Sequence, residues 1–342
     1  MKSRSDIKIF IVGGGEIGRS LAGQLSRDGY ELTLIDRNQD VVKSLSNSFD
    51  IICFEGNGAS YTTLQELSAG KADIWIAVTE SDELNILSCM TAHMMGAKHT
   101  IARIRDVDYA RQNHFYKDKL GLSMIINPEL ATALEIFRLL RFPLATRVET
   151  FARGRAELVQ INVRNESPLI GHSLIEMNQD MGINLLICAI VRDGEAFVPK
   201  GNTVISRGDI LYMTGAADEF RKSFKKIKLP VKPLQSVMIA GGGRIAYYLA
   251  EAVLEQGAKV TLIEKNKVMA TELSEAVEGI NVVCDDALAY FDSMSQSDIE
   301  NTDAFITITD NDEYNLVAAM YGESQGISKV ISRIAAKSRL KV

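Results

Sequence analysis

The 342-residue chain is poor in the residues that most often advertise chemistry. Its four cysteines, Cys53, Cys89, Cys188 and Cys284, are scattered, and no two form a C-x-x-C pair. That spacing argues against a zinc cluster or a disulfide framework, and leads to the expectation of buried thiols in a reducing compartment. The four histidines, His93, His99, His114 and His172, stand in no constellation with a carboxylate. No H-E-x-x-H, G-x-S-x-G or G-K-[ST] sequence occurs, so metalloprotease, serine-hydrolase and P-loop chemistry lack their usual residues. Apolar runs are short: "LLICAIV" at 185–191 is far below the roughly 20 residues that span a bilayer. Lys2, Arg4 and Asp6 precede only a strand-length apolar stretch, which is not a secretory signal. The net charge of −6 offers no overall attraction to nucleic acid or anionic lipid. The expectation is a soluble, cytoplasmic chain with no metal site, whose membrane role, if any, comes through a partner.

What is present is a repeat. "IVGGGEIGRSLAGQL" at 11–25 is matched by "VMIAGGGRIAYYLAE" at 237–251. Gly13 and Gly241, Gly15 and Gly243, and Asp36 and Glu264 are each 228 residues apart. "IAVTESDELN" (76–85) and "ITITDNDEYN" (306–315) are 230 apart, as are Arg103 of "IARIR" and Arg333 of "ISRIA". A near-constant offset over about a hundred residues marks a tandem duplication.

In the first copy, strand patterns at 7–12, 31–35, 50–54, 73–78, 99–104 and 122–126 alternate with amphipathic helices at about 16–28, 39–48, 60–67, 81–95 and 107–120. That alternation predicts a parallel sheet covered on both faces. Asn127-Pro128 caps a further helix, "ELATALEIFRLLRF", whose broad apolar face should pack outside the first sheet, with another subunit as one option. Residues 144–228 read as a small α+β domain: "AELVQINV", "INLLICAIV", "EAFVP" and "DILYMTG" separated by turns such as Arg192-Asp193-Gly194-Glu195. Helical patterns fall at about 172–180 and 218–226, and the basic run "RKSFKKIK" (221–228) reads as a solvated helix face. The fold class is α/β, with two Rossmann-like doubly wound sheets and the small domain between them. The expected boundaries are 1–143, 144–228, a two-proline linker at 229–235, and 236–342. The duplication calls for a second small domain that these residues do not contain.

The glycines have separate duties. Gly13 permits a tight turn, Gly15 lets backbone N–H groups approach a pyrophosphate, and Gly18 lets the helix pack against the strand. The helix beginning near Glu16 points its positive dipole end at the phosphates. Asp36 ends the second strand, where a carboxylate accepts from ribose hydroxyls and disfavours the 2′-phosphate of NADP. In the second copy Ala246 replaces the third glycine and Glu264 replaces Asp36. These contacts read the ADP half shared by NAD, ATP and ADP, so they do not choose between those ligands. One difference does bear on the choice: Glu16 in the first turn is matched by Arg244 in the second. A glutamate tolerates a dinucleotide and disfavours a triphosphate, whereas an arginine suits extra phosphate charge. The first site is therefore expected to lean to NAD(H) and the second to ATP or ADP, the alternative being solvated charges that touch no ligand.

Three further pairs of segments lie where ligands sit in open α/β sheets. Gly56-Asn57-Gly58-Ala59 closes the third strand, with Asn57 available to an adenine edge or ribose, and Asp285-Asp286-Ala287 is its counterpart. Thr79 and Thr309 end the fourth strands, as ligand contacts or as helix N-caps. Arg103 and Arg333 end the fifth strands, to close on phosphates or to pair with acids such as Asp82 or Glu83.

A dehydrogenase also needs an acid or base beside its nicotinamide, and none is visible. Two nucleotide sites without a catalyst suggest that the nucleotide is a signal. An NAD-dependent oxidoreductase is the alternative. A redox-sensing transcription regulator is a third reading, unsupported by any basic recognition segment.

Together, tandem G-x-G-x-x-G turns, "LIDRN", "GNGA", "VTESDELN", "IARIR" and the small-domain stretches "SPLIGHSL" and "VPKGNTVISRGDILY" resemble the RCK (KTN) family, most of all the peripheral subunits of Trk-type bacterial potassium uptake. The resemblance covers essentially the whole chain. It implies a cytoplasmic, non-enzymatic gating ring, tetrameric, on the inner face of the plasma membrane. The ring would assemble on a membrane-embedded K⁺-translocating subunit and respond to NAD(H) and ATP or ADP. The family's ligand contacts fall on Gly13, Gly14, Gly15, Glu16, Ile17, Asp36, Arg37, Thr79, Glu80 and Arg103. In the second copy they fall on Gly241, Gly242, Gly243, Arg244, Ile245, Glu264, Lys265, Thr309, Asp310 and Arg333. The chain departs from the family's usual G-D-(A/G) after the third strand, at Gly56-Asn57-Gly58 and Asp285-Asp286-Ala287.

Overall fold

The computed structural model describes residues 4–106, 109, 113–142, 145–151, 156–165, 167–226 and 234–334. Part of the expected 107–120 helix, most of the 229–235 linker and the end of the second copy lie outside the described residues. The chain forms two compact units, Met1–Glu129 and Leu130–Val342.

In the first unit, β1 (Lys8–Val12), α1 (Glu16–Arg27), β2 (Glu31–Asp36), α2 (Gln39–Ser48), β3 (Ile52–Glu55), α3 (Tyr61–Glu66), β4 (Ile74–Ala77), α4 (Asp82–Met95), β5 (His99–Arg103), α5 (Asn113–Leu120) and β6 (Met124–Ile126) follow one another. The sheet order is β3-β2-β1-β4-β5-β6, and all its pairings are parallel. The order reverses between β1 and β4, which opens a crevice at the carboxyl end of β1. Strand β1 is apolar and buried from Ile9 to Val12 because both faces of the sheet are covered. Trp75 on β4 is fully buried and stacks on Phe10 with centroids 5.2 Å apart. Its indole N–H donates to Ser88 Oγ on α4 at 3.0 Å, and Ser88 donates in turn to the Gly58 carbonyl. This relay anchors the loop after β3 to the core. Burying one such large apolar side chain contributes about 1.5–3 kcal/mol. Helix α4 carries Asp82 and Glu83 in its first turn and stops at Gly96, whose φ of 111° lies in the left-handed region.

Helix α6 (Pro128–Arg141) carries the chain from the first unit into the second. There β7 (Ala145–Phe151), β8 (Ala156–Asn162), α7 (Leu174–Gln179), β9 (Leu186–Arg192), β10 (Glu195–Phe197), β11 (Ile210–Gly215) and α8 (Ala217–Lys226) build an antiparallel sheet of order β10-β9-β11-β8-β7. The β9–β10 hairpin turns through Asp193 (φ 52°) and Gly194 (φ 83°), positive at both central residues as a two-residue hairpin demands. Leu139 and Phe142, at the end of α6, pack with Phe220 and the inner face of this sheet.

The chain then enters β12 (Ser236–Ala240), α9 (Arg244–Glu255), β13 (Lys259–Ile263), α10 (Lys267–Ala276), β14 (Asn281–Val283), α11 (Ala287–Ser293), α12 (Gln296–Glu300), β15 (Ala304–Thr307), α13 (Asp312–Ser324) and β16 (Lys329–Ser332). The sheet order β14-β13-β12-β15-β16 repeats the first, again all parallel. Phe305 takes the place of Trp75 and packs edge-on against Phe291.

The expectation of four buried thiols fails. Only Cys89 is buried, with its thiol pushed up to about 12 by burial, while Cys284 is exposed and Cys53 and Cys188 are half-buried. Cys284 lies just past β14, where the chain leaves the sheet for a surface loop. No described helix is long and apolar enough to cross a membrane.

Candidate functional site

Each parallel sheet brings its glycine turn to the carboxyl edge. Gly13 and Gly241 have φ of 104° and 108°, which L side chains rarely adopt. A Cβ on Gly13 would also meet the Thr79 backbone nitrogen at 3.0 Å, so the turn lies against the end of β4. The N-caps of α1 and α9 are Gly15 and Gly243, which supply no side-chain acceptor, and nothing lies within 4 Å of a Cβ built on either. Both helix starts thus lack a side-chain cap and have open space beside the cap glycine, the arrangement that can receive a phosphate. By contrast, Asn38, Ser81, Asn266, Asp286 and Asn311 cap their helices with their own side chains. Gly18 is needed for another reason: a Cβ there would stand 1.8 Å from the Gly13 carbonyl oxygen. Ala246 fills the equivalent place and is fully buried.

Asp36 and Glu264 do the same work with side chains of different length. Asp36 Oδ2 accepts from Gly14 N–H at 2.6 Å and Oδ1 from Asn38 N–H at 2.8 Å. Glu264 accepts from Gly242 N–H at 2.6 Å and Asn266 N–H at 2.7 Å. Each acid thus braces its own glycine turn, and spare lone pairs on both oxygens remain for ribose hydroxyls. Beside them, Ile17 is half-buried and Ile245 buried at the helix starts, while Glu16 and Arg244 are exposed.

At the loops after β3 and β14 the copies diverge. Arg37 donates to Asn57 Oδ1 at 2.9 Å, and the same oxygen accepts from Ala59 N–H at 3.1 Å. Gly58 has no room for a side chain, since a Cβ would strike Val12. In the second copy Lys265 pairs with Asp286 at 2.5 Å and lies over the Tyr314 ring. Tyr314 donates its hydroxyl to Asp286 Oδ2 at 2.9 Å and accepts from Ala287 N–H at 3.1 Å. Burial pushes the Asp286 carboxyl up, but hydrogen bonds from Lys265 and Tyr314 bring it below the usual aspartate range. A cleft of about 430 Å³ lies over this cluster, lined also by the Gly241–Gly243 turn, Thr309 and Asp310. That volume suits a nucleotide-sized ligand.

Two of the alternatives that the sequence left open are not the ones the structure adopts. Thr79 and Thr309 are not the N-caps of α4 and α13; Ser81 and Asn311 are. Arg103 pairs with neither Asp82 nor Glu83. Its guanidinium engages Glu129 in the first turn of α6, and it is Arg105 that faces Asp82, at 3.6 Å. Arg105 also reaches the carbonyl of exposed Glu80. Arg333 stays nearer its cleft, 3.8 Å from exposed Asp310 and 3.5 Å from the Thr309 carbonyl. Pattern reading missed Glu129 and Tyr314, whose roles depend on distance through space. It also passed over Asn85 and Asn315, whose recurrence 230 residues apart was the available signal. Among the described residues no cluster of His, Cys, Asp and Glu could hold a metal ion.

The TrkA-N domain family model matches residues 9–128 and again 237–342, and the TrkA-C domain model matches 158–228. The Trk system potassium uptake protein TrkA of Vibrio alginolyticus is 32% identical over 329 residues, covering 95% of this chain and 71% of that protein. Among solved structures, the GsuK channel bound to NAD superposes with a TM-score of 0.66 at 18% identity, over 97% of this chain and 62% of its own. GsuK bound to ADP gives 0.53 at 14%, over 95% and 65%. The chain thus spans under two thirds of the length of those channels, and at such identities the likeness is one of fold.

Proposed function

The chain belongs to the TrkA family, and on that premise we propose that it is a regulatory subunit of a potassium-uptake system that senses nucleotides and catalyses nothing. It would work as a cytoplasmic protein held at the inner face of the membrane by a K⁺-translocating partner, self-associating into a ring, a tetramer of tandem units. Nucleotide domains at 1–143 and 236–342 would flank a small domain at 144–228 and a linker at 229–235.

The observation that carries this reading is the pair of uncapped helix starts with open space beside Gly15 and Gly243. Glycine turns and amides would hold the pyrophosphate, Asp36 and Glu264 the ribose, and Thr79, Thr309 and Arg333 the far side, with Arg103 joining them only when released from Glu129. Exposed Glu16 against exposed Arg244 favours NAD(H) in the first cleft and ATP or ADP in the second. Relatives named for potassium uptake and structural neighbours described with NAD and with ADP support the assignment. A nucleotide moves such a protein only by its differential affinity for two shapes; a full switch needs about 10⁴-fold.

The test is potassium flux in liposomes holding the membrane translocator, with this chain added and NADH, ADP or ATP varied. Flux that follows nucleotide identity, with the nucleotide recovered intact, is the expected result. Tight nucleotide binding with unchanged flux would refute regulation, and sustained loss of NADH absorbance with carbonyl compounds would favour an oxidoreductase instead.

A further inference from the structure

The last ladder pairing of β4 with β5 is at Ala77 and Ala102, and just past it a side chain ties the two strand ends together. Asn85, one turn into α4, is fully buried. Its Oδ1 accepts from Thr79 N–H at 2.9 Å and from the Thr79 hydroxyl at 2.7 Å. Its Nδ2 donates to the Thr79 carbonyl at 3.1 Å and the Arg103 carbonyl at 2.9 Å. Asn315 on α13 repeats all four bonds. Oδ1 accepts from Thr309 N–H at 2.9 Å and its hydroxyl at 2.6 Å, and Nδ2 donates to the Thr309 and Arg333 carbonyls at 2.9 and 3.1 Å.

The amide's entire capacity, two acceptor and two donor positions, is consumed in each copy. The arrangement also admits one orientation only, because a flipped amide would set N–H against N–H and oxygen against two carbonyls. No other side chain of this length supplies the set: aspartate lacks the donors, and a serine or threonine hydroxyl has a single proton. The duplicated geometry survives while its surroundings differ, with Leu84 and Ser81 in one copy and Tyr314 and Asn311 in the other.

We propose that Asn85 and Asn315 are positioning residues for nucleotide binding. Each ties the fourth and fifth strand ends together and keeps the threonine proton inside the turn; one hydroxyl lone pair accepts from Ser81 N–H or Asn311 N–H at 3.3 Å, which leaves the other for a ligand. Thr309 lines the second cleft and Asn315 does not, so the effect passes through Thr309. A hydroxyl whose proton is committed to Oδ1 can accept from a ribose O–H but cannot donate to a phosphate without breaking the tie. The inference rests on the nucleotide-sensing reading and deepens it.

The test is Asn315→Asp in the full chain, with ATP and ADP affinities taken by calorimetry at about pH 8 and about pH 5.5, each as a ratio to the unsubstituted chain. A buried carboxylate facing two carbonyls pushes the strand ends apart, and protonation returns one donor, so the affinity should be weakened about tenfold or more at the higher pH and largely recovered at the lower. Asn85→Asp should act on the first cleft and leave ATP binding alone. Amide exchange without nucleotide supplies a second readout: Thr309 and Arg333 N–H should exchange faster than in the unsubstituted chain at the higher pH only. Should Asn315→Asp fail to fold, Asn315→Ser replaces it, with weakened binding and faster exchange expected at both pH values. A folded variant with unchanged exchange and unchanged affinity overturns the proposal. If the unsubstituted chain binds no nucleotide, the sensing reading falls, and the exchange data still judge the tie.

Discussion

Replacing Glu129 by glutamine should tighten nucleotide binding at the first cleft. Arg103 ends β5 at the carboxyl edge, yet its guanidinium is spent on Glu129, with side chains only 13% and 19% exposed. The pair is imperfectly satisfied, since Arg103 Nε and Glu129 Oε2 are buried without hydrogen-bond partners. At an effective dielectric near 20, opposite charges about 4 Å apart attract by about 4 kcal/mol, most of it offset by desolvation. Glutamine keeps the shape and removes the charge, so the chain should lose about 1–3 kcal/mol of stability. The freed guanidinium can then meet a phosphate oxygen, and one charge-assisted hydrogen bond of about 1.5–3 kcal/mol corresponds to roughly ten- to hundredfold tighter NADH binding. NADH fluorescence titration at fixed ionic strength reads the affinity, and thermal melting confirms that the pair was broken. Arg103→Gln/Glu129→Gln should return affinity to or below the starting value. A clear fall in melting temperature with unchanged or weaker NADH binding would refute the reasoning.

Exchanging the charges at the glycine turns should exchange preference: Glu16→Arg should raise ATP affinity at the first cleft about tenfold and Arg244→Glu should lower it at the second, read by calorimetry. Gly18→Ala forces a methyl onto the Gly13 carbonyl and should cost at least about 2 kcal/mol, whereas Ala246→Gly should cost only about 1 kcal/mol; chemical denaturation compares them. Glu157 is 3% exposed, with Arg141 no closer than 3.9 Å, and burial raises its carboxyl above the usual range despite Arg141 and Arg138. A raised folded-state value means that stability falls as pH rises from the unfolded value of about 4.3 through the folded one. Glu157→Gln should therefore raise the melting temperature at neutral pH and do little near pH 4, and an equal effect at both would contradict this account.

Much of the architecture was legible because its causes are local. The φ of 104° at Gly13 and of 108° at Gly241 need glycine wherever the rest of the chain goes, and β1 from Ile9 and β12 from Val237 are apolar because both sheet faces are covered. The duplication made each copy a check on the other, and so Asp36 and Glu264 could be matched before their shared bonds to the turns were seen. Charges were harder. Asp82, Glu83 and Glu129 are all carboxylates within 26 residues of Arg103, and sequence spacing ranks Glu129 last. The ion pair forms with Glu129 because β5 and the first turn of α6 meet in space, and Asp82 is left to Arg105.

Backbone requirements and apolar periodicity act over a few residues, so the amino-acid order alone determined two glycine turns, two parallel sheets and the acid that follows each turn. Tertiary structure decided which arginine is held back from its cleft, which thiols reach the surface, and that two asparagines span strand ends. Those outcomes depend on through-space distances of a few ångströms between residues far apart in the chain, and Coulomb and hydrogen-bond energies change steeply over that range.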